Sequence, residues 1–207
     1  MPSITIVGCG PGSRDYATGA ALRAIAESEV IVGAQRLIDD FGGGKKALAF
    51  TSVEDTLRVL RDHTAKKVAV LVTGDPAFFS LTSCIINEMG KQQVSIVPGI
   101  SSITYAFGKQ GIPWHDAAFL SAHNVFPAKW NSIVTHFPKI GVLTSPKHSV
   151  SALAGMINSA TARLRRFYVG QRLSYPDESL GEYAHAELCK LKTDTLSVLV
   201  ITTLEEY

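Results

Sequence analysis

The chain has 207 residues, 46% of them hydrophobic and 18% charged, with a formal net charge of +2 at pH 7. That balance suits one large or two small globular domains, and it excludes both a disordered chain and one whose charge demands nucleic acid. No apolar run approaches the roughly 18 residues that span a bilayer, and residues 1–12 lack the basic start and long apolar stretch of a signal peptide, so no membrane is expected and the cytoplasm is the expected compartment.

In chain order, SITIVG (3–8) reads as a strand. Ala17 to Glu27 reads as a helix, with Ala21, Leu22, Ile25 and Ala26 at helical spacing. EVIVGA (29–34) is a second strand, and FGGGKK (41–46) is expected to be a flexible loop. Ser52 is a helix cap, with Asp55 three residues on and Val53, Leu57 and Leu60 along one face. KKVAVLVTG (66–74) and QVSIVPG (93–99) are continuous apolar strands of the buried parallel kind, with a helix from Leu81 to Met89 between them. A helical stretch from Ser101 to Lys109 leads to GIPWHDAAF, where Gly111 and Pro113 break the pattern and set an expected division into domains 1–112 and 113–207. Beyond it AAFLSAH, KIGVLTS, RRFYVGQ, EYAHAELCKL and TLSVLVITT are read as strands, with helices near Ala128–His136 and Ser149–Ser159. The expected class is therefore α/β, with a mostly parallel first sheet and a mixed second one.

Cys9, Cys84 and Cys189 have no CxxC spacing and are expected to be reduced, buried thiols. His115, His136, His148 and His185 show no metal-ligand spacing, so no metal is expected. RLRR (163–166) is read for the most part as a solvated face before a strand.

Three glycine-bearing turns carry the chemistry. VGCGPG (7–12) lies between a strand and a helix, where phosphate-binding loops sit. It is not a dinucleotide fingerprint, because position 13 is Ser13 where glycine is needed and Pro11 removes an amide. At Gly74, Asp75 and Pro76 the chain leaves a buried strand by its carboxyl end, the edge where open α/β sheets bind ligands. A carboxylate there can cap backbone amides or face a ligand with cationic or hydroxyl groups. VPGISS (97–102) ends a third strand in the same way and adds small hydroxyl residues.

In this order, GCGPG (8–12), TGDPAFFS (73–80) and VPGISSI (97–103) resemble the successive signatures of the tetrapyrrole methylase family, and the resemblance covers essentially the whole chain. Within it, VGAQRLI (32–38), GIPWHDA (111–117), SAH (121–123) and YPDES (175–179) look most like cobalt-precorrin-7 (C5) methyltransferases. Where those often show Ser-Leu-His-Gly-Arg this sequence has Ser121, Ala122, His123, Asn124 and Val125, and where Glu-Asn is usual it has Gln171 and Arg172.

The resemblance implies two α/β domains with an active cleft between them, a homodimer, and methyl transfer from S-adenosylmethionine, with S-adenosylhomocysteine as product. By motif position it assigns cofactor contacts to Pro11, Gly74, Asp75, Phe78, Ser101 and Ser102, and further ones to Thr144 and Leu173. The acidic corrinoid substrate it implies suits arginine, whose planar fork takes a carboxylate bidentately, and Arg36, Arg14 and Arg172 are the candidates in that order. Any cobalt would arrive within the substrate, and a separate decarboxylating methyltransferase chain is a further expected partner. Phe78 and Phe79 would exclude water or pack the cleft, with a plain core role open for Phe79. An activated sulfonium methyl needs positioning more than a catalytic triad. Should proton loss accompany transfer, His123 is the candidate base, though a structural role suits it as well. The alternatives are methylation of another ring carbon, a diphthine synthase-like methyltransferase, and a noncatalytic cofactor-binding or scaffold subunit.

Overall fold

Four short apolar runs and one half-exposed edge segment in the first half of the chain become strands, packed with helices that cover the faces of their sheet. A computed structural model describes residues 3–123, 125–193 and 197–204, and it divides into two units, Met1–Ser101 and Ser102–Tyr207. In the first unit the order is β1 (Ile4–Gly8), α1 (Gly19–Glu27), β2 (Val30–Gly33), α2 (Gln35–Phe41), β3 (Lys46–Ala49), α3 (Val53–Asp62), β4 (Val68–Val72), α4 (Thr82–Met89) and β5 (Val94–Val97). The sheet runs β3-β2-β4-β1-β5, and every pairing is parallel.

Alternation along these strands sorts the core into two layers. Val7, Ile31, Ala69 and Leu71 pack with Ala21 and Ile25 of α1 and Leu37 and Phe41 of α2. Ile4, Ile6, Val30, Val32, Val68 and Val70 pack with Leu60 of α3 and with Ile85 and Met89 of α4. The neighbours β1 and β4 therefore send their following helices to opposite faces. That divergence makes their carboxyl ends the switch point, where sheets of this kind receive ligands.

Most expected elements are present, and Ser52 caps α3 by accepting from the Asp55 amide at 3.1 Å. FGGGKK is not only a loop. Phe41 closes α2, Gly43 and Gly44 turn the chain with φ of 57° and 79°, and Lys46 already begins β3. This edge strand is short and half exposed, so it lacks the apolar run that marked the others.

The second unit comprises α5 (Ser102–Lys109), β6 (Ala118–Ser121), α6 (Trp130–His136), β7 (Lys139–Leu143), α7 (Val150–Gly155), α8 (Ser159–Ala162), β8 (Arg165–Gln171), β9 (Ser179–Tyr183), α9 (His185–Leu188) and β10 (Ser197–Thr203). Its sheet is mixed, in the order β6-β7-β10-β8-β9, with β6 and β7 parallel and the other pairs antiparallel. One layer holds Trp130, Val134, Ile140, Val142, Leu153, Phe167, Val169, Leu199 and Ile201. On the other face α5 lies directly on β7 at Gly141, where a Cβ would sit 2.2 Å from Ile103 Cγ2 and 3.0 Å from Phe107 Cε2. That packing places α5 with the second unit, so the division falls ahead of this helix rather than after it, at 112/113.

Three other expectations change, and part of a fourth lies outside the described residues. EYAHAELCKL is a strand only to Tyr183 and then turns into α9. Thr195 and Leu196 of the expected last strand lie outside the described residues, and β10 starts at Ser197. Within RLRR, Arg165 is buried because its guanidinium donates to the carbonyls of Phe137 (2.7 Å) and Thr135 (2.9 Å) at the end of α6, where cations are favoured. Cys9 is buried, whereas Cys84 and Cys189 are exposed, and all three are free thiols. A feature with no sequence warning is Lys139, fully buried at the start of β7, whose ammonium donates to Pro113 O and Asp116 Oδ1, both at 2.7 Å. The hydrogen bond from Lys139 holds the Asp116 carboxyl below the usual carboxylate range. Among the described residues no helix is long and apolar enough to cross a membrane.

Candidate active site

Because β1 pairs with β4 on one side and β5 on the other, the turns after these strands meet at one edge of the first sheet. They are in backbone contact. A Cβ on Gly8 would sit 2.7 Å from both Gly74 O and Gly99 N, and a Cβ on Gly99 would sit 2.2 Å from Gly74 O and 2.9 Å from Gly8 Cα. Side chains are thus excluded from Gly8 and Gly99 by packing, while Gly74 needs its glycine for a φ of 73°. Gly10 and Gly74 exchange hydrogen bonds, the Gly74 amide donating to Gly10 O at 2.8 Å and the Gly10 amide to Gly74 O at 3.3 Å.

Asp75 ties the second turn to the third. Its Oδ1 accepts from the Ala77 amide at 2.7 Å and its Oδ2 from the Gly99 amide at 3.0 Å. Of the two uses open to this carboxylate, holding backbone amides is the one visible, although no helix follows at once, since α4 begins only at Thr82. Pro11 is buried in the first turn, Ser101 is buried in the third, and Ser102 is the first residue of α5.

Phe78 is half-buried and stacks edge-on against Phe79 with ring centroids 4.6 Å apart. Phe79 is no core residue. Half its surface (51%) is exposed, and its φ is 50°, a conformation that a bulky side chain adopts only when its surroundings impose it.

Of the arginines, Arg36 reaches this edge. It projects from α2, donates from Nη2 to Thr73 Oγ1 at 2.9 Å and lies 3.9 Å from Asp40 Oδ2. Arg14 instead serves the end of α2, donating to Asp40 O at 3.0 Å with its guanidinium 5.4 Å from the centre of the Phe41 ring. Burial pushes the neighbouring Cys9 thiol up to about 12 despite the opposing charge of Arg36, so it is a neutral packing group and no nucleophile.

In the second unit, β6, β7 and β8 run in one direction, so their carboxyl ends share an edge with the start of β10. Thr144 is buried there, its hydroxyl donating to Ser197 O at 2.9 Å and lying 2.6 Å from Ser197 Oγ. His123 follows β6 with its amide donating to Ser121 Oγ at 3.4 Å. The His123 ring keeps exposed surface, yet desolvation by the protein around it lowers its pKa and favours neutral imidazole. Leu173, after β8, is buried against Gly170. Arg172 beside it pairs with Asp177 and lies over the Tyr175 ring.

A sequence model of the family Tetrapyrrole (Corrin/Porphyrin) Methylases matches residues 3–188. The chain is a tetrapyrrole methylase. It is 26% identical over 179 residues to a cobalt-precorrin-7 C(5)-methyltransferase of Salmonella typhimurium, an alignment that covers 86% of this chain and 88% of the relative. Among solved structures it is similar to a cobalt precorrin-4 methyltransferase, with a TM-score of 0.79 at 20% identity over 96% of this chain and 94% of that one. A uroporphyrin-III C-methyltransferase of Thermus thermophilus, solved in complex with S-adenosylhomocysteine, gives a TM-score of 0.75 at 19% identity over 96% of this chain and 91% of that one. These two likenesses are of fold.

In this methyltransferase the three glycine-bearing turns are in backbone contact, while Ser102, assigned with the third of them, already belongs to the second unit. Reading the sequence did not single out Thr73, Gly99 or Glu178. Gly99 and Thr73 stand inside quoted motifs, but only the strand order reveals that they touch Gly8 and Arg36. Glu178 lies in YPDES, whose chemistry had no role until its partners were seen. It accepts from Tyr105 and from the Ser174 amide and pairs with Lys109. Burial alone would raise its carboxyl, but these partners outweigh burial and hold it below the ordinary value.

Proposed function

We propose that the protein transfers the methyl group of S-adenosylmethionine to a carbon of a cobalt-precorrin, C5 of cobalt-precorrin-7. The observation that carries this reading is the backbone contact among Gly8, Gly74 and Gly99, which brings three turns to one sheet edge at its switch point. Its narrower part, the ring carbon, rests on likeness to the Salmonella enzyme across most of both chains.

The turns fit such a cofactor. They offer backbone polar groups at close range, a carboxylate with accepting capacity left after two amide bonds, and the half-buried Phe78. S-adenosylmethionine supplies an activated methyl on a sulfonium; a ring carbon forms the new bond as the sulfur–methyl bond breaks and S-adenosylhomocysteine remains. Pro11, Gly74, Asp75, Phe78 and Ser101 would hold it in the first unit, and Ser102, Thr144 and Leu173 would do so in the second. The protein acts mainly by orientation. A proton released from the macrocycle has His123 as its candidate acceptor, since the neutral imidazole favoured there can take it. A homodimer and a separate decarboxylating methyltransferase chain belong to the same reading.

Incubation with cobalt-precorrin-7 and S-adenosylmethionine carrying a 13C-methyl tests it, with NMR reading the labelled carbon. Label at C5 is expected. Label at another ring carbon would reassign the substrate, and no label on any corrinoid, together with no binding of S-adenosylhomocysteine, would leave only the scaffold alternative. Arg36 stands at the site's rim, and a carboxylate of the substrate is its proposed partner. Arg36→Ala is expected to raise the corrinoid KM about 30-fold, equivalent to about 2 kcal/mol for a charged hydrogen bond. Calorimetry should find its affinity for S-adenosylhomocysteine changed by less than roughly threefold, because the amide contacts of Asp75 are untouched.

A further inference from the structure

Four described residues other than glycine have positive φ, and two of them, Arg172 (47°) and Ser174 (70°), flank Leu173 in the turn after β8. Side chains of L residues disfavour this conformation, so two instances within three residues need something outside the turn to impose it. The Tyr175 amide closes the turn on Arg172 O at 3.0 Å, but that bond is local.

A longer-range restraint is Glu178. Its Oε2 accepts from the Ser174 amide and from the Tyr105 hydroxyl at 2.7 Å, and its Oε1 lies 3.3 Å from Lys109 Nζ. Tyr105 and Lys109 are four residues apart on one face of α5, the helix that begins at Ser102. One largely buried carboxylate therefore fastens the strained turn to a helix of the same unit, and charge-assisted bonds of this kind are the strong ones.

We propose that Glu178 is a positioning residue, which holds Leu173 and its turn in register with Ser102 so that both are preorganised for the methyl donor. The proposal rests on the cofactor roles given above to Ser102 and Leu173. Glu178 need not touch the ligand. Without it the turn relaxes toward ordinary φ, and binding must restore the strained form, which lowers affinity for the donor and leaves the bound complex competent.

The test combines titration with S-adenosylhomocysteine and initial rates against S-adenosylmethionine, for the wild-type protein, Glu178→Gln and Tyr105→Phe. Glu178→Gln is expected to bind about tenfold more weakly and to raise the S-adenosylmethionine KM by the same factor, with kcat within about twofold of wild type. Tyr105→Phe, which leaves the carboxylate on the Ser174 amide, is expected to cost about threefold. Exchange of the Ser174 amide proton should quicken in ligand-free Glu178→Gln. Failure of the wild-type protein to bind S-adenosylhomocysteine would overturn the donor reading and this proposal with it. Normal wild-type binding alongside a folded Glu178→Gln of unchanged affinity, or a loss confined to kcat, would overturn the positioning role alone. If Glu178→Gln does not fold, Tyr105→Phe decides by the same criterion.

Discussion

Gly99→Ala is expected to weaken binding of S-adenosylhomocysteine by about 100-fold, because it forces apart the turns that the cofactor reading depends on. The added methyl would stand 2.2 Å from Gly74 O and 2.9 Å from Gly8 Cα. These are backbone atoms of two other turns, so no rotamer change relieves the overlap. The third turn must back away by an ångström or so, and it takes the Gly99 amide from Asp75 as it goes. Overpacking of this kind costs about 3 kcal/mol, and the loss falls on the edge that carries the site. Gly108→Ala is the matched control. Gly108 lies in α5 with nothing within 4 Å of its would-be Cβ, so alanine there should leave binding unchanged and favour the helix by about 1 kcal/mol. Calorimetry on the two variants, with circular dichroism to verify folding, separates the cases. Gly99→Ala binding within threefold of wild type would mean that the contact among the turns is irrelevant to the cofactor.

The parts of this arrangement legible in the sequence are those fixed by short-range patterns. The apolar runs at β1, β4 and β5 announced strands, of which β4 is buried as expected while β5 is a part-exposed edge with Ile96 in solvent, and the Gly, Pro and Asp residues after them announced turns at their carboxyl ends. Sheet order is different. That β1 sits between β4 and β5 is set by crossover connections, and only this order converts three separate turns into one contact among Gly8, Gly74 and Gly99. Elements with weak apolar signals were lost for a physical reason. The strand β3 is a half-exposed edge, and α9 is a single helical turn that follows directly on β9 within a stretch read as strand throughout. Charged residues were the hardest to place, since their burial depends on partners distant in sequence. Arg165 finds carbonyls at the end of α6, and Lys139 finds Asp116 and Pro113. Glu178 finds Tyr105, 73 residues away. Asp75 marks the boundary between the two kinds of information. Its position after a buried strand marked it as important, while its double grip on amides of two turns required coordinates.

That grip gives Asp75→Asn a definite consequence. The carboxylate offers an acceptor to each of two donors, the Ala77 amide at 2.7 Å and the Gly99 amide at 3.0 Å. Asparagine has the same shape but a single accepting oxygen, so either way round one backbone N–H faces an NH2 group. The Ala77 bond is shorter and spans two residues, so the oxygen should stay there and Gly99 should lose its partner. An amide left unpaired in this way costs about 2 kcal/mol, and the stable Gly10–Gly74 exchange keeps the first two turns together while the third loosens. The melting temperature is expected to fall by roughly 5 °C. Affinity for S-adenosylhomocysteine should fall about 30-fold. Amide exchange distinguishes this from direct contact with the ligand. If Asp75 acts by bracing, the Gly99 amide proton exchanges faster in ligand-free Asp75→Asn than in wild type. An unchanged Gly99 rate with lost binding would instead place the carboxylate of Asp75 on the cofactor itself.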